Sequence, residues 1–154
     1  MDYVIVKWLH VLSSTVVFGT GVGSAWYFFV AARGRDPRIV AFVAHALVIA
    51  DGLFTATTMV VQPATGLWLA HTARFPWSSR WLWWSVVLFA IAAVLWLRVV
   101  VLQLRMRALA REAVAQSTAL PGEFARRFRE WVALGFVALA CFLAIFYLMV
   151  AKPV

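Results

Sequence analysis

Four long apolar runs, separated by short polar breaks, constrain this chain more than any other feature it has. They cover about residues 3–32, 39–71, 81–104 and 131–151, and each reaches the roughly 20 residues a helix needs to cross the hydrocarbon of a bilayer. Lipid offers no partner to a bare peptide group, so runs of this kind are satisfied as helices. The expectation is an all-α fold, a polytopic membrane four-helix bundle occupying residues 1–154 as a single domain. Composition agrees: 65% hydrophobic residues, 13% charged residues and a mean hydropathy of +0.90 lie outside the range of soluble domains. Gly23-Ser24-Ala25 has the small side chains of a leader cleavage site. The apolar run nevertheless continues through Trp26-Tyr27-Phe28-Phe29, so the first run reads as a retained span.

The breaks are typical of membrane loops. Arg33-Gly34-Arg35-Asp36-Pro37 reads as a tight turn, and Arg74 to Arg80 mixes aromatic and basic residues suited to headgroup depth. At Pro121 a new helix is expected, with Glu123 near its positive end. The second run is longer than a bilayer core is thick, and Pro63 is the expected place for a bend. A net charge of +8 would suggest nucleic acid in a soluble protein, but here the cations cluster at span ends. With four spans, Arg33, Arg35, Arg38, Arg98, Arg105, Arg107, Arg111, Arg126, Arg127 and Arg129 share one side, against Lys7, Arg74, Arg80 and Lys152 on the other. The positive-inside rule then places both termini outside the cytoplasm, which in a bacterium means the periplasm and a place in the inner membrane. The expected partner of the arginines is anionic lipid, with no nucleic acid. Cys141 reads as a packing residue within the fourth span.

Ionisable and polar groups inside spans are costly, and therefore mark candidate sites. On the first span, steps of three and four residues put His10, Ser14, Val17, Gly21 and Ser24 on one face, while Thr15, Gly19 and Gly23 form a small-residue ladder suited to close association with a second copy. On the second, Asp51, Thr55, Thr58, Gln62 and Thr65 fall on one stripe expected to face the bundle interior. Interhelical hydrogen bonding explains such a stripe as well as a proton route or the wall of a ligand site does. His10 and His71 lie near one membrane face, and His45 lies toward the other. Large aromatics and small residues around a histidine-bearing helix supply what a flat apolar macrocycle needs: room, stacking surface and an axial nitrogen. No Cys-x-x-Cys or His-x-x-x-His pair suggests structural zinc, and no acid stands ready to orient a serine–histidine pair.

Lys7-Trp8-Leu9-His10-Val11, Pro63-Ala64-Thr65-Gly66-Leu67-Trp68-Leu69 and Val150-Ala151-Lys152-Pro153-Val154 resemble stretches of the HemJ-type protoporphyrinogen oxidases, four-helix bacterial membrane proteins with haem b. The likeness extends to Glu130 ahead of the fourth span, but Trp77-Ser78-Ser79-Arg80 and Trp83-Trp84-Ser85 stand where that family carries a His-Ala-Lys stretch. The chain looks closer still to a bacterial family of predicted integral membrane proteins, and more distantly resembles CopD-type copper-resistance proteins. These resemblances imply a haem b protein of oxidoreductase or electron-transfer type. His10 would be the ligand to the haem iron, His71 or His45 a second ligand, and Lys7, Asp51 and Gln62 would take catalytic roles. A non-enzymatic assembly partner or structural oligomer, and a copper-handling protein using His10 and His71, are the alternatives.

Overall fold

The structure is a computed structural model that describes residues 1–153; Val154, the last residue of the C-terminal stretch singled out above, lies outside the described residues. Four helices follow one another: α1 (Asp2–Gly34), α2 (Pro37–Thr72), α3 (Arg80–Ala115) and α4 (Gly122–Ala151). At about 1.5 Å per residue, helices of 30 to 36 residues are about 45 to 54 Å long, well beyond the hydrocarbon thickness of roughly 30 Å. Each therefore continues past its apolar run, most visibly α3, which carries the basic segment from Arg98 to Arg111 as unbroken helix. No more than 28% of any span's most apolar window is buried inside the chain, leaving the remainder for lipid.

The turns follow from local chemistry. Arg35 takes the left-handed conformation (φ 57°) that ends α1, and Asp36 caps α2 by accepting the Arg38 N–H at 2.8 Å, with Pro37 pre-set for the first turn. Pro121 is the cap residue of α4, with Glu123 in its first turn as expected from the sequence. Pro63, the residue expected to bend the second span, sits within regular helix (Ala56–Thr72). The departure from α-geometry comes about two turns earlier, where Asp51–Thr55 forms a π-helical turn and the Ala56 N–H reaches back to the Asp51 carbonyl. A proline removes one backbone bond, which a membrane helix absorbs locally; a π-turn inserts a residue and rotates everything after it.

That rotation organises the bundle. Before the turn α2 packs chiefly against α3; after it, α2 packs against α1. The α3–α4 pair is the most extensive interface, and α1 barely touches α4. The main core consequently lies toward the end that carries the α1–α2 and α3–α4 loops. There Phe28, Ala44, Leu102 and Met106 are sealed from solvent, and Phe28 sits edge-on to Trp131 at 5.1 Å. Arg98 bonds Glu130 and Arg105 bonds Glu123, so two of the arginines assigned above to topology also tie α3 and α4 together, while Arg127 bonds Glu123 within α4. At the other end only a small cluster forms, around Ala70, Trp81 and Leu82. The bundle is tight at the loop end and splayed at the end bearing the termini.

Candidate functional site

Splaying leaves a cavity of about 480 Å³ between the four helices at the termini end. His10 and Ser14 reach it from α1, Gln62 and Gly66 from α2, Trp81, Ser85 and Phe89 from α3, and Phe146 and Met149 from α4. The lining is mainly apolar, and two exposed cations, Lys7 and Lys152, join it at the termini end. Lys152 is held there by aromatic faces, its Nζ lying 4.8 Å from the Phe75 ring and 5.6 Å from the Trp81 ring. A volume of this size with a few convergent polar groups has the character of a small-molecule site.

His10 is the most defined polar group in the cavity. Its Nδ1 lies 2.8 Å from Thr65 Oγ1, and Thr65 Oγ1 in turn lies 2.6 Å from the Val61 carbonyl. Two acceptors that close must share a proton, so the Thr65 hydroxyl donates to Val61 and its lone pair faces the imidazole. Nδ1 therefore carries the ring proton and donates it, with the Gln62 backbone carbonyl nearby as a further acceptor. In the neutral ring this leaves Nε2 as a bare lone pair, able to ligate a metal ion or accept a hydrogen bond. The ring is seated by Gly66: a Cβ there would lie 3.0 Å from His10 Cε1, closer than ordinary packing allows.

The polar stripe of α2 faces inward as expected. Asp51, Thr55 and Thr58 are buried, Gln62 and Thr65 half-buried. It serves two places. Gln62 lines the His10 cavity and Thr65 bonds His10, whereas Asp51 and Thr55 lie in the π-turn, where the Thr55 hydroxyl donates to Asp51 Oδ1 at 2.8 Å. Thr58 is satisfied by its own helix, on the Phe54 and Thr55 carbonyls. Ser14 and Thr15 likewise donate to the Val11 carbonyl, so the small polar face of α1 is no continuous network. Lys7 is brought to the cavity with His10; His71 and His45 are not, both being exposed on α2. The described residues hold no group of three His, Cys, Asp or Glu side chains placed to share a metal ion.

Three contributors escaped the sequence reading: Gly66 as the seat of His10, Lys152 at the cavity mouth, and Gln103, buried beside Asp51. Gly66 and Lys152 stood within the quoted stretches, one residue after Thr65 and just past the last span. Gln103 alone had a signal of its own, as a polar side chain inside an apolar run. Residues 4–153 match the model of a family described as "Predicted integral membrane protein (DUF2269)". Neither a curated protein nor a solved structure matches the chain.

Proposed function

Given that the chain belongs to the DUF2269 family of predicted integral membrane proteins, we propose that its cavity is a haem b site and that it works as an oxidoreductase or electron-transfer protein of a bacterial inner membrane. The observation that carries this reading is the Val61–Thr65–His10 relay, which commits the Nδ1 proton and leaves Nε2 free beside a largely apolar cavity. Haem-ligating histidines are oriented in just this way, by a hydrogen bond from the non-ligating nitrogen. His10 would hold the iron through its free nitrogen, Lys7 and Lys152 would offer positive charge to the carboxylates of the group, and Trp81, Phe89 and Phe146 would form apolar wall. Bound there, the group would contribute one-electron redox chemistry. Gln62 Oε1, which is buried and unpartnered among the described residues, adds a hydrogen-bond acceptor to the cavity wall. The short stretches resembling HemJ-type oxidases include His10, Gly66 and Lys152, which line the cavity, and Thr65, which bonds His10. With ten of the 14 Lys and Arg residues on the loop side, the cavity faces the periplasm. Protein purified in detergent from haem-replete cells should show a Soret band that His10→Ala removes. A colourless wild-type preparation overturns the proposal.

A second reading has one observation in its favour. Nothing lies within 4 Å of a Cβ built at Gly19 or Gly23, so the Thr15–Gly19–Gly23 ladder is unused within the chain. It fits a non-enzymatic role in which the helix packs on another copy, with the bilayer as the other partner. The copper-handling alternative gains no such support, since His71 does not join His10 at the cavity.

A further inference from the structure

The cavity has walls of unequal strength. α1 packs along α2 and α4 along α3, while contact between α1 and α4 is slight. Among the described residues no hydrogen bond and no ion pair joins α1 to α4. What bridges that seam is Phe18 of α1, edge-on to Phe146 of α4 with ring centroids 5.3 Å apart. Phe146 also lines the cavity, so the same ring closes the seam and forms the wall behind it. Cavity-lining residues on either side of the seam are open to the outside: Val11 of α1 is 55% exposed and Val150 of α4 is 86% exposed. Both belong to apolar runs, so in a bilayer this opening meets lipid. On the α2–α3 side, by contrast, Ala70, Trp81 and Leu82 pack together with Phe75 of the connecting loop against them.

A molecule passing through this seam must first dissolve in the bilayer. The lining it then meets is mainly apolar and includes two ammonium groups, Lys7 and Lys152, but no carboxylate. Lysines at a span end rest their stems on apolar surface and hold their charge at headgroup depth, where they attract acidic groups. Lys152 is set in place by the crossed rings of Phe75 and Trp81, whose centroids are 5.2 Å apart. An acidic molecule entering sideways keeps its charged group at that depth throughout and never carries it into hydrocarbon, which is the costly step. Turning two half-buried rings is a small movement beside parting helices joined by hydrogen bonds or ion pairs.

We propose that the cavity is loaded sideways from the bilayer through the α1–α4 seam, with Phe18 and Phe146 as the latch, and that it takes an apolar molecule bearing an acidic group held by Lys7 and Lys152. The inference rests on the haem reading only for which ligand resides there. Route and charge preference belong to the cavity itself, and they are tested without haem.

The test uses the full chain from haem-depleted cells, in phosphatidylcholine liposomes, with palmitic acid carrying a mid-chain diazirine as the probe and the matching alcohol as its comparison. Adducts formed on illumination are mapped by mass spectrometry. Wild type should carry the acid on Ser85, a cavity residue only 3% exposed and out of reach from the lipid-facing surface, as well as on exposed residues such as Phe136. Lys7→Gln and Lys152→Gln should each cut the Ser85 adduct about fivefold, the effect of one interfacial charge, and leave the Phe136 adduct unchanged. The alcohol should label Ser85 at least fivefold less than the acid does. Phe18→Cys with Phe146→Cys in a Cys141→Ala background, joined by a short bis-thiosulfonate linker, should lose the Ser85 adduct and regain it on reduction, which shows that the linked protein remains folded. Adducts confined to lipid-facing residues, a Ser85 adduct that survives the linker, or equal labelling by acid and alcohol would each overturn the proposal. A protein that binds haem but fails here keeps its haem site and loses the route; a colourless protein that passes keeps the route.

Discussion

Gly66→Ala separates the seating of His10 from the stability of the bundle. The added Cβ would stand 3.0 Å from His10 Cε1, whereas carbon pairs settle at about 3.5 to 4.0 Å, so the ring must retreat from α2 by about 0.5 to 1 Å. Thr65 is the preceding residue on the same helix. Retreat from Gly66 therefore stretches the 2.8 Å Nδ1···Oγ1 contact to about 3.3 to 3.8 Å, past the useful limit of about 3.2 Å. The lost hydrogen bond costs about 1 kcal/mol, and alanine in place of glycine within a helix returns about the same amount. Thermal stability should consequently change by less than about 1 kcal/mol while the imidazole loses its fixed tautomer. Nitrogen-15 NMR of histidine-labelled protein reads this directly: wild type shows His10 protonated at Nδ1 alone, and Gly66→Ala shows a mixture. Gly135→Ala, which meets nothing within 4 Å, serves as the control and should leave the His10 signals unchanged. If Gly66→Ala keeps the wild-type ring signals, the glycine is not what seats the histidine and the reasoning fails.

Two other perturbations address the rest of the molecule. Glu123, ahead of the fourth apolar run, is held at about 2 by hydrogen bonds from Arg105 and Arg127, below the usual carboxylate value of 4.5. Its depressed value means that its contribution to folding is present above pH 4.5 and is lost as pH falls through about 2. Wild type should therefore unfold at a higher temperature than Glu123→Gln at neutral pH, the gap closing across that acid window; a gap independent of pH would show that the arginines act otherwise. Gly19→Leu should lower the oligomeric species seen by native mass spectrometry if the small-residue ladder seats a second copy, and an unchanged distribution removes that reading.

The four spans were legible because lipid leaves the backbone so few choices: an apolar run of sufficient length must become a helix. The inward stripe on α2 was legible for a related reason, since its polar residues have nowhere else to face. Its division into two places was not. Helical spacing alone runs Asp51, Thr55, Thr58, Gln62 and Thr65 together, and the π-turn that redirects α2 leaves no mark on hydropathy. Pro63 drew attention as the obvious irregularity, although a membrane helix accommodates one missing N–H more readily than a sequence pattern suggests. His10 stood out as an ionisable group in an apolar run, but its partner lies 55 residues away, a pairing that only the packing of α1 on α2 creates. Gln103 was lost among the apolar and basic residues of α3, and its significance comes entirely from what faces it across the interface.

Titrating haem into detergent-purified protein from haem-depleted cells, with absorbance as the readout, bears most directly on the role given to His10. Wild type should saturate at one haem per chain, Thr65→Val should bind about 10- to 100-fold more weakly because the ligand loses its orienting partner, and His10→Ala should show no ligated spectrum. A wild-type curve that His10→Ala reproduces would contradict the assignment of this cavity to haem.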